Sequence, residues 1–313
     1  MKTKYWTSWL LVPLLWIFSY LPVAWSHKIG GALGAIIYRI ASVRREIAIR
    51  NLELCFPEKD EQDIRAIAKN TFRNIAKATL TSGIGWWSSK KRLKRLVRIK
   101  HSEHYDGALK SDQNIILLAP HFVALEIGGI YLSIFNSITS VYQHSRNPVF
   151  NKLMVRGRRR FGLMLVERKN GLMPLVRNIV RGSALYYLPD QDPGLQWNSR
   201  GAVFAPFFGV TAATWATLGR LAKLTDATVI PCATKILQDG QGFEIIFRPP
   251  LDNFPTGNPI IDAETMNHAI EELVREMPDQ YFWVHRRFKT QPIEQSGNPY
   301  INPRAQRLDK QQN

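Results

Sequence analysis

The sequence predicts an α/β protein: a mostly parallel sheet flanked by helices, preceded by an N-terminal transmembrane or membrane-embedded helix and a helical, membrane-facing extension. Three observations carry that reading. Short apolar runs alternate with helix-periodic segments through the middle of the chain, the pattern of βαβ units. The chain starts with a long uncharged stretch. Its 313 residues, 45% hydrophobic and 11% aromatic, supply a sizeable core and exclude a disordered chain.

From Tyr5 through Ser26 there is no charge, a run of 22 residues that includes Trp6, Trp9, Trp16 and Trp25. About 20 apolar residues span a bilayer, and Trp favours its interfaces, so residues 1–27 read as a membrane anchor. A cleaved signal peptide is the rival, and Pro13 and Pro22 leave a shallow or re-entrant insertion open. Lys28, Arg39, Arg44, Arg45 and Arg50 outnumber Lys2 and Lys4, which puts the body on the cytoplasmic side. Residues 28–110 read as a helical membrane-associated region. Within it Asp60–Leu80 is an amphipathic helix with Ile64, Ile67, Ala68, Phe72, Ile75 and Thr79 on one face. Gly85-Trp86-Trp87 and then KKRLKRLVRIK, seven basic residues between Lys90 and Lys100, read as a membrane-surface stretch or as a solvated helix face.

Residues 111–292 read as the α/β core. Strands are expected at Asn114–Ala119, Ile138–Gln143, Ala184–Leu188, Thr228–Thr234 and Phe243–Phe247, with helices near 122–135, 147–162, 171–182 and 212–224. Asp262 opens a further helix that Pro278 stops. Residues 293–313 are polar and read as a flexible tail.

The two cysteines, Cys55 and Cys232, lie far apart with no C-x-x-C, which excludes a disulfide scaffold and a thiolate zinc site. There is no phosphate-binding glycine loop, no H-E-x-x-H and no G-x-S-x-G. Asp190-Gln191-Asp192-Pro193-Gly194 fails as a calcium loop because the twelfth position is Gly201. The informative segment is NIILLAPHFVALEIGGI, Asn114–Ile130. A His at a strand's end and a carboxylate in the next helix, His121 and Glu126, make an H-x4-E pair. Such a carboxylate can fix the imidazole tautomer so that the other nitrogen takes a proton from a hydroxyl. Spacing alone is weak, with about 0.6 chance matches expected from composition. A second match, His101-x4-Asp106, lies in a polar stretch, so context favours His121, with buried core polar groups as the alternative. Two more features bear on it. Arg146–Gly162 concentrates Lys152, Arg156, Arg158, Arg159 and Arg160, forks suited to phosphate oxygens or else surface charge. YLPDQDPG follows an expected strand, where α/β folds place their sites, or is simply a turn.

These segments together resemble one family. APHFVALEIGG, RNPVFNKLMVRGRRRFG, PDQDPG followed by VFAPFFG and AATWATLGRLAKLTDATVIP, and YFWVHRRFKTQP occur in order, with RREIAIRNLELCFPE upstream. The chain is similar to the lipid A biosynthesis late (secondary) acyltransferases of lauroyl/myristoyl type, within the lysophospholipid acyltransferase superfamily. The resemblance implies an inner-membrane enzyme that moves a fatty acyl group from acyl carrier protein to an acyl-chain hydroxyl of a phosphorylated lipid A precursor. It implies His121 as general base, Glu126 as its orienting partner, and Arg156 and Arg159 as phosphate- or carrier-binding. Asp192 matches the acid of the third block. The E-G-T-R loop of the phospholipid branch is missing, which argues against glycerol-3-phosphate or lysophosphatidate as acceptor. Thioester chemistry of this kind calls for no metal or cofactor. The alternatives are another phospho- or glycolipid acceptor within the superfamily, and a non-catalytic binder of anionic lipid or nucleic acid.

The formal charge of +17 calls for an anionic partner. Its two blocks, beside paired Trp and just after the His121 segment, fit a membrane surface and a phosphorylated substrate better than nucleic acid.

Overall fold

In a computed structural model the structure describes residues 6–145, 147–194, 201–292 and 299–300. The amino-terminal part is helical: α1 (Trp6–Tyr20), α2 (Val23–Ile40), α3 (Ser42–Cys55), α4 (Glu61–Trp87) and α5 (Lys90–Leu96). Then strands and helices alternate: β1 (Val97–Lys100), α6 (Glu103–Lys110), β2 (Asn114–Leu118), α7 (Leu125–Leu132), β3 (Ile138–Tyr142), α8 (Pro148–Arg159), β4 (Met164–Glu167), α9 (Met173–Val180) and β5 (Ala184–Tyr187). A hairpin, β6 (Ala202–Phe207) and β7 (Val210–Trp215), leads to α10 (Thr217–Thr225), β8 (Ala227–Ile236), β9 (Phe243–Phe247) and α11 (Pro259–Glu276).

The main sheet runs β1-β9-β8-β2-β5-β3-β4, parallel throughout except for the β8–β9 pair. Its inner strands are apolar on both faces, as a covered parallel sheet requires. Alternate residues of β2 feed two cores. Ile116 and Leu118 pack with Leu175 of α9, Leu221 of α10 and Ile270 of α11. Ile115 and Leu117 pack with Ile127 of α7, Met154 of α8 and Tyr105 of α6.

Among the described residues the spanning form of the expected membrane helix does not occur. Pro22 disfavours helical geometry at Leu21 and sits as the N-cap of α2, so the uncharged run divides into two helices. At 15 residues α1 is about 22 Å long, short of a bilayer core of ~30 Å. α2 is amphipathic instead. Its buried side, Ser26, His27, Gly30 and Gly34, lies on α4, so closely that a Cβ on Gly30 would fall 2.8 Å from the Lys77 Cα. Among the described residues no helix is long and apolar enough to cross a membrane.

Other elements depart from the sequence reading more locally. α4 starts at its expected cap, with Asp60 accepting from the Asp63 N–H at 2.7 Å, but runs on through Trp87. The stretch read as membrane-surface binding or as a solvated helix face is α5 followed by β1, an edge strand of the main sheet beside β9, so the region before residue 110 is not wholly helical. Residues 212–215, expected to open a helix, are strand β7, whose Thr and Trp favour extended backbone. Of the tail only Pro299 and Tyr300 are described, and the Tyr300 hydroxyl donates to Asn51 Oδ1 at 2.5 Å.

Candidate active site

β2 and β5 are parallel neighbours in the register Leu118↔Tyr187. Three residues beyond each register partner stand His121 and Asp190, so the sheet delivers both side chains to one point at the carboxyl end of its strands, where α/β folds build sites. Asp190 Oδ1 accepts from His121 Nδ1 at 2.7 Å, and Oδ2 accepts from the His121 backbone N–H at 2.9 Å and from the Tyr281 hydroxyl at 2.8 Å. The carboxylate is 1% exposed. Burial alone would push its pKa up. The charge and hydrogen bonds of His121, with the Tyr281 hydroxyl, outweigh that and hold it at about 2. With Nδ1 donating to Asp190, neutral His121 presents Nε2 as an unprotonated acceptor, and Nε2 has no partner among the described residues.

The segment after α11 clamps this pair from the other side. Phe282 N donates to His121 O at 3.1 Å and Val123 N to Gln280 O at 2.9 Å, pinning the backbone around His121. Tyr281 is fully buried, its own titration pushed well up by burial and by Asp190.

Glu126, expected as the orienting partner of His121, is engaged elsewhere. It lies in the first turn of α7 and accepts from Trp86 Nε1 at 2.8 Å, from Arg158 Nε at 2.9–3.0 Å and from Arg158 Nη2 at 2.5 Å. Burial would lower the Arg158 pKa, and the Glu126 carboxylate more than offsets it. Gly157 brings α8 against the Trp86 ring with no room for a Cβ. Among the α8 arginines the structure thus brings Arg158 into the site. Arg156 and Arg159 are exposed and outside the cavity wall, because on a helix Arg156, two positions from Arg158, is turned about 200° from it and Arg159, one position on, about 100°. Asp192 does line the cavity, but its carboxylate is tied to the Gly194 N–H at 2.7 Å and to the Thr290 N–H and Oγ1 at 2.8 Å.

His121, Glu126, Arg158 and Asp192 line one cavity of about 770 Å³. Leu163, Val166, Leu172 and Leu175 give its wall an apolar part, while Arg168, Lys169 and Arg220 add positive charge. A hydroxyl beside His121 Nε2 would meet a base held in one tautomer, and an acyl chain would find an apolar bed. Among the described residues no group of three or more His, Cys, Asp or Glu could hold a metal ion, and both cysteines are buried.

Tyr281 is a site residue that the sequence does not mark, and Asp190 is marked only within the PDQDPG segment, whose expected site acid is Asp192. The signal available was position: Asp190 comes three residues after the end of a strand adjacent to the one leading into His121, but strand adjacency is not written in the local sequence.

His285 sits behind the pair and accepts from the Asp192 N–H at 3.2 Å. Burial, then the charge of His121, lowers its pKa to about 4. The unfolded chain protonates it near 6.5, so between those values the unfolded state binds the extra proton. Its contribution to stability is therefore full above about pH 6.5 and falls as the pH drops toward 4, by up to about 3 kcal/mol. Buried His27, also lowered to about 4, acts in the same sense. Denaturant unfolding of the micellar protein at pH 7.5, 6 and 5 should show this slope, with His285→Asn removing about half of it. An unchanged slope would refute the assignment.

The chain matches the model of the bacterial lipid A biosynthesis acyltransferase family over residues 1–290. It is 32% identical over 294 residues to the lipid A biosynthesis lauroyltransferase of Escherichia coli (strain K12), covering 92% of this chain and 93% of that one. The palmitoleoyltransferase of the same organism is 29% identical over 294 residues, with 94% of each chain covered. A lipid A biosynthesis acyltransferase of Haemophilus influenzae is 31% identical over 303 residues, covering 95% of this chain and 94% of that one.

Proposed function

Because the chain belongs to the bacterial lipid A biosynthesis acyltransferases and is an acyltransferase of that synthesis, we propose that it transfers a fatty acyl group from acyl carrier protein to the hydroxyl of a hydroxyacyl chain on a phosphorylated lipid A precursor. The observation that carries this reading is the Asp190-held His121 opening on a cavity lined by both apolar and cationic residues.

In this reading His121 Nε2 takes the proton of the acceptor hydroxyl as its oxygen attacks the thioester carbonyl. Asp190 holds the ring and balances the imidazolium that forms. Arg158, fixed by Glu126 through Nε and Nη2, turns its remaining donors to the oxyanion of the tetrahedral intermediate. That intermediate collapses to the new ester and expels the carrier's thiolate, which recovers the proton from His121. Water in place of the acceptor gives slow thioester hydrolysis by the same steps.

The substrates are amphiphiles, and the surface suits them. α2 exposes Ile29, Leu33, Ile36, Ile37 and Ile40 as one stripe, with Trp25 63% and Ile40 74% exposed, and Lys28 and Arg39 beside it. Exposed Lys90, Lys91, Lys94 and Arg95 on α5 add positive charge. An amphipathic helix lying in the bilayer interface, with basic residues on anionic head groups, holds the body on the cytoplasmic face of the inner membrane.

The test is acyl transfer by the purified protein, with acyl carrier protein and coenzyme A thioesters as donors and hexosaminyl and glycerol lipids as acceptors. Acylation of the hexosaminyl acceptor from the carrier thioester, lost in His121→Ala, is the expected result. Inertness of carrier thioesters with lipid A precursors would refute it.

A further inference from the structure

The carboxylates and cations of the cavity wall do not cancel one another evenly. Glu126 is taken by Arg158 and Trp86, Glu167 by Lys169 at 2.7 Å and the Tyr142 hydroxyl at 3.0 Å, and Asp192 by its backbone and Thr290 bonds. Two guanidinium groups are left with no carboxylate partner among the described residues. Arg168 stands on the turn after β4, its guanidinium 5.0 Å from the centre of the Trp215 ring. Arg220 lies near the start of α10, just past β7 and Trp215. Both line the same cavity as His121, and neither α9 nor α10 carries an acid in its first turn to oppose them.

The geometry points to a phosphate-binding subsite formed by Arg168 and Arg220, with Trp215 as the platform that holds Arg168 in place. The inference rests on the acyl-transfer reading and deepens it by naming what the cavity recognises besides an acyl chain. β4, which leads into Arg168, is three strands from β2, which leads into His121, and at ~4.8 Å per strand the two ends are roughly 14 Å apart. A sugar ring with the first carbons of its acyl chain bridges such a gap, so a phosphate on the ring and a hydroxyl on the chain reach the two places together. Arginine forks match phosphate oxygens, and a guanidinium held over an indole by its charge keeps N–H donors for them. Phosphate recognition then belongs to the cavity wall and not to Arg156 and Arg159, which are exposed on the outside of α8.

Two substrates carry phosphate, the acceptor head group and the pantetheine arm of the carrier, and the experiment separates them. Full-length protein in detergent micelles is compared with Arg168→Gln, Arg220→Gln and the double variant. The probes are a phosphorylated disaccharide acceptor bearing hydroxyacyl chains, the same acceptor with its phosphates removed, and the acyl carrier thioester. Each variant should weaken binding and raise KM about tenfold for the phosphorylated acceptor and not for the dephosphorylated one, with Arg168→Lys, which keeps the charge and loses the fork, restoring only part of it. A selective rise for the carrier thioester instead assigns the phosphate to the donor and keeps the subsite. Equal losses with and without phosphate, or no loss with any probe, overturn it. Equilibrium binding of the acceptor needs no turnover. If the wild-type protein transfers no acyl group, the acyl-transfer reading fails while the binding ratios still decide the subsite.

Discussion

Asp190→Asn lowers kcat by about a thousandfold or more while KM for either substrate stays within a few-fold. The reason is tautomeric. Asp190 accepts from His121 Nδ1, from the His121 backbone N–H and from the Tyr281 hydroxyl, so its two oxygens serve three donors. An amide has one accepting oxygen, which the backbone N–H and Tyr281 retain, and its Nδ2 then faces His121 Nδ1 as a donor. The ring must place its proton on Nε2, the nitrogen that has to take the proton from the acceptor. Losses of about 10⁴ follow when a triad aspartate in serine proteases is changed in this way, with the fold intact. The same assay on Glu126→Gln separates the two carboxylates, because Glu126 contacts Arg158 and Trp86 and has no hold on the tautomer. Turnover and thermal unfolding are measured together. Near-normal turnover in a folded Asp190→Asn protein would remove Asp190 from the mechanism.

How far this site was legible can be followed residue by residue. His121 stood out because an apolar strand runs straight into it, and strand-to-loop transitions in α/β chains can be read from hydrophobic runs and proline. Five of the seven strands of the main sheet were legible for the same reason: β9 falls where its run of Phe, Ile and Phe lies, and β2 and β5 within a residue of theirs, whereas the edge strands β1 and β4, only four residues each, were not expected. The partner of His121 was not legible. Glu126, five residues on, is near in sequence, but helix geometry turns it toward Trp86 and α8. Asp190, 69 residues on, is near in space because β2 and β5 pair in parallel, and strand order is a property of the whole sheet. The α8 arginines were legible as a cluster but not as individuals. Burial on one helix face selected Arg158, which resemblance alone had not singled out. Of the two forms of anchor expected, spanning or embedded, the span is not met among the described residues, and Pro22 had already weighed against it. Hydropathy counted an uncharged run, and Pro22 cut it.

The largest expected loss of stability lies in the Glu126–Arg158 pair. Their side chains are 15% and 23% exposed, and removing one partner leaves a largely desolvated charge. Arg158→Met should therefore cost about 3–5 kcal/mol, since Glu126 keeps Trp86 Nε1 as its remaining donor. Adding Glu126→Gln removes the stranded carboxylate and lets the amide bond to Trp86, so the double variant should recover most of the loss. The coupling in that cycle should be at least about 2 kcal/mol, read from denaturant unfolding. Turnover separates scaffold from chemistry. If Arg158 faces the oxyanion, the double variant regains its fold and remains about a hundredfold slow, the cost of one lost oxyanion donor. If activity returns with stability, Arg158 serves to anchor α8 against α7, and the oxyanion must be met by other donors in the wall. An Arg158→Met protein destabilised by less than about 1 kcal/mol would mean that water reaches Glu126 and that the pair does not hold α7 to α8.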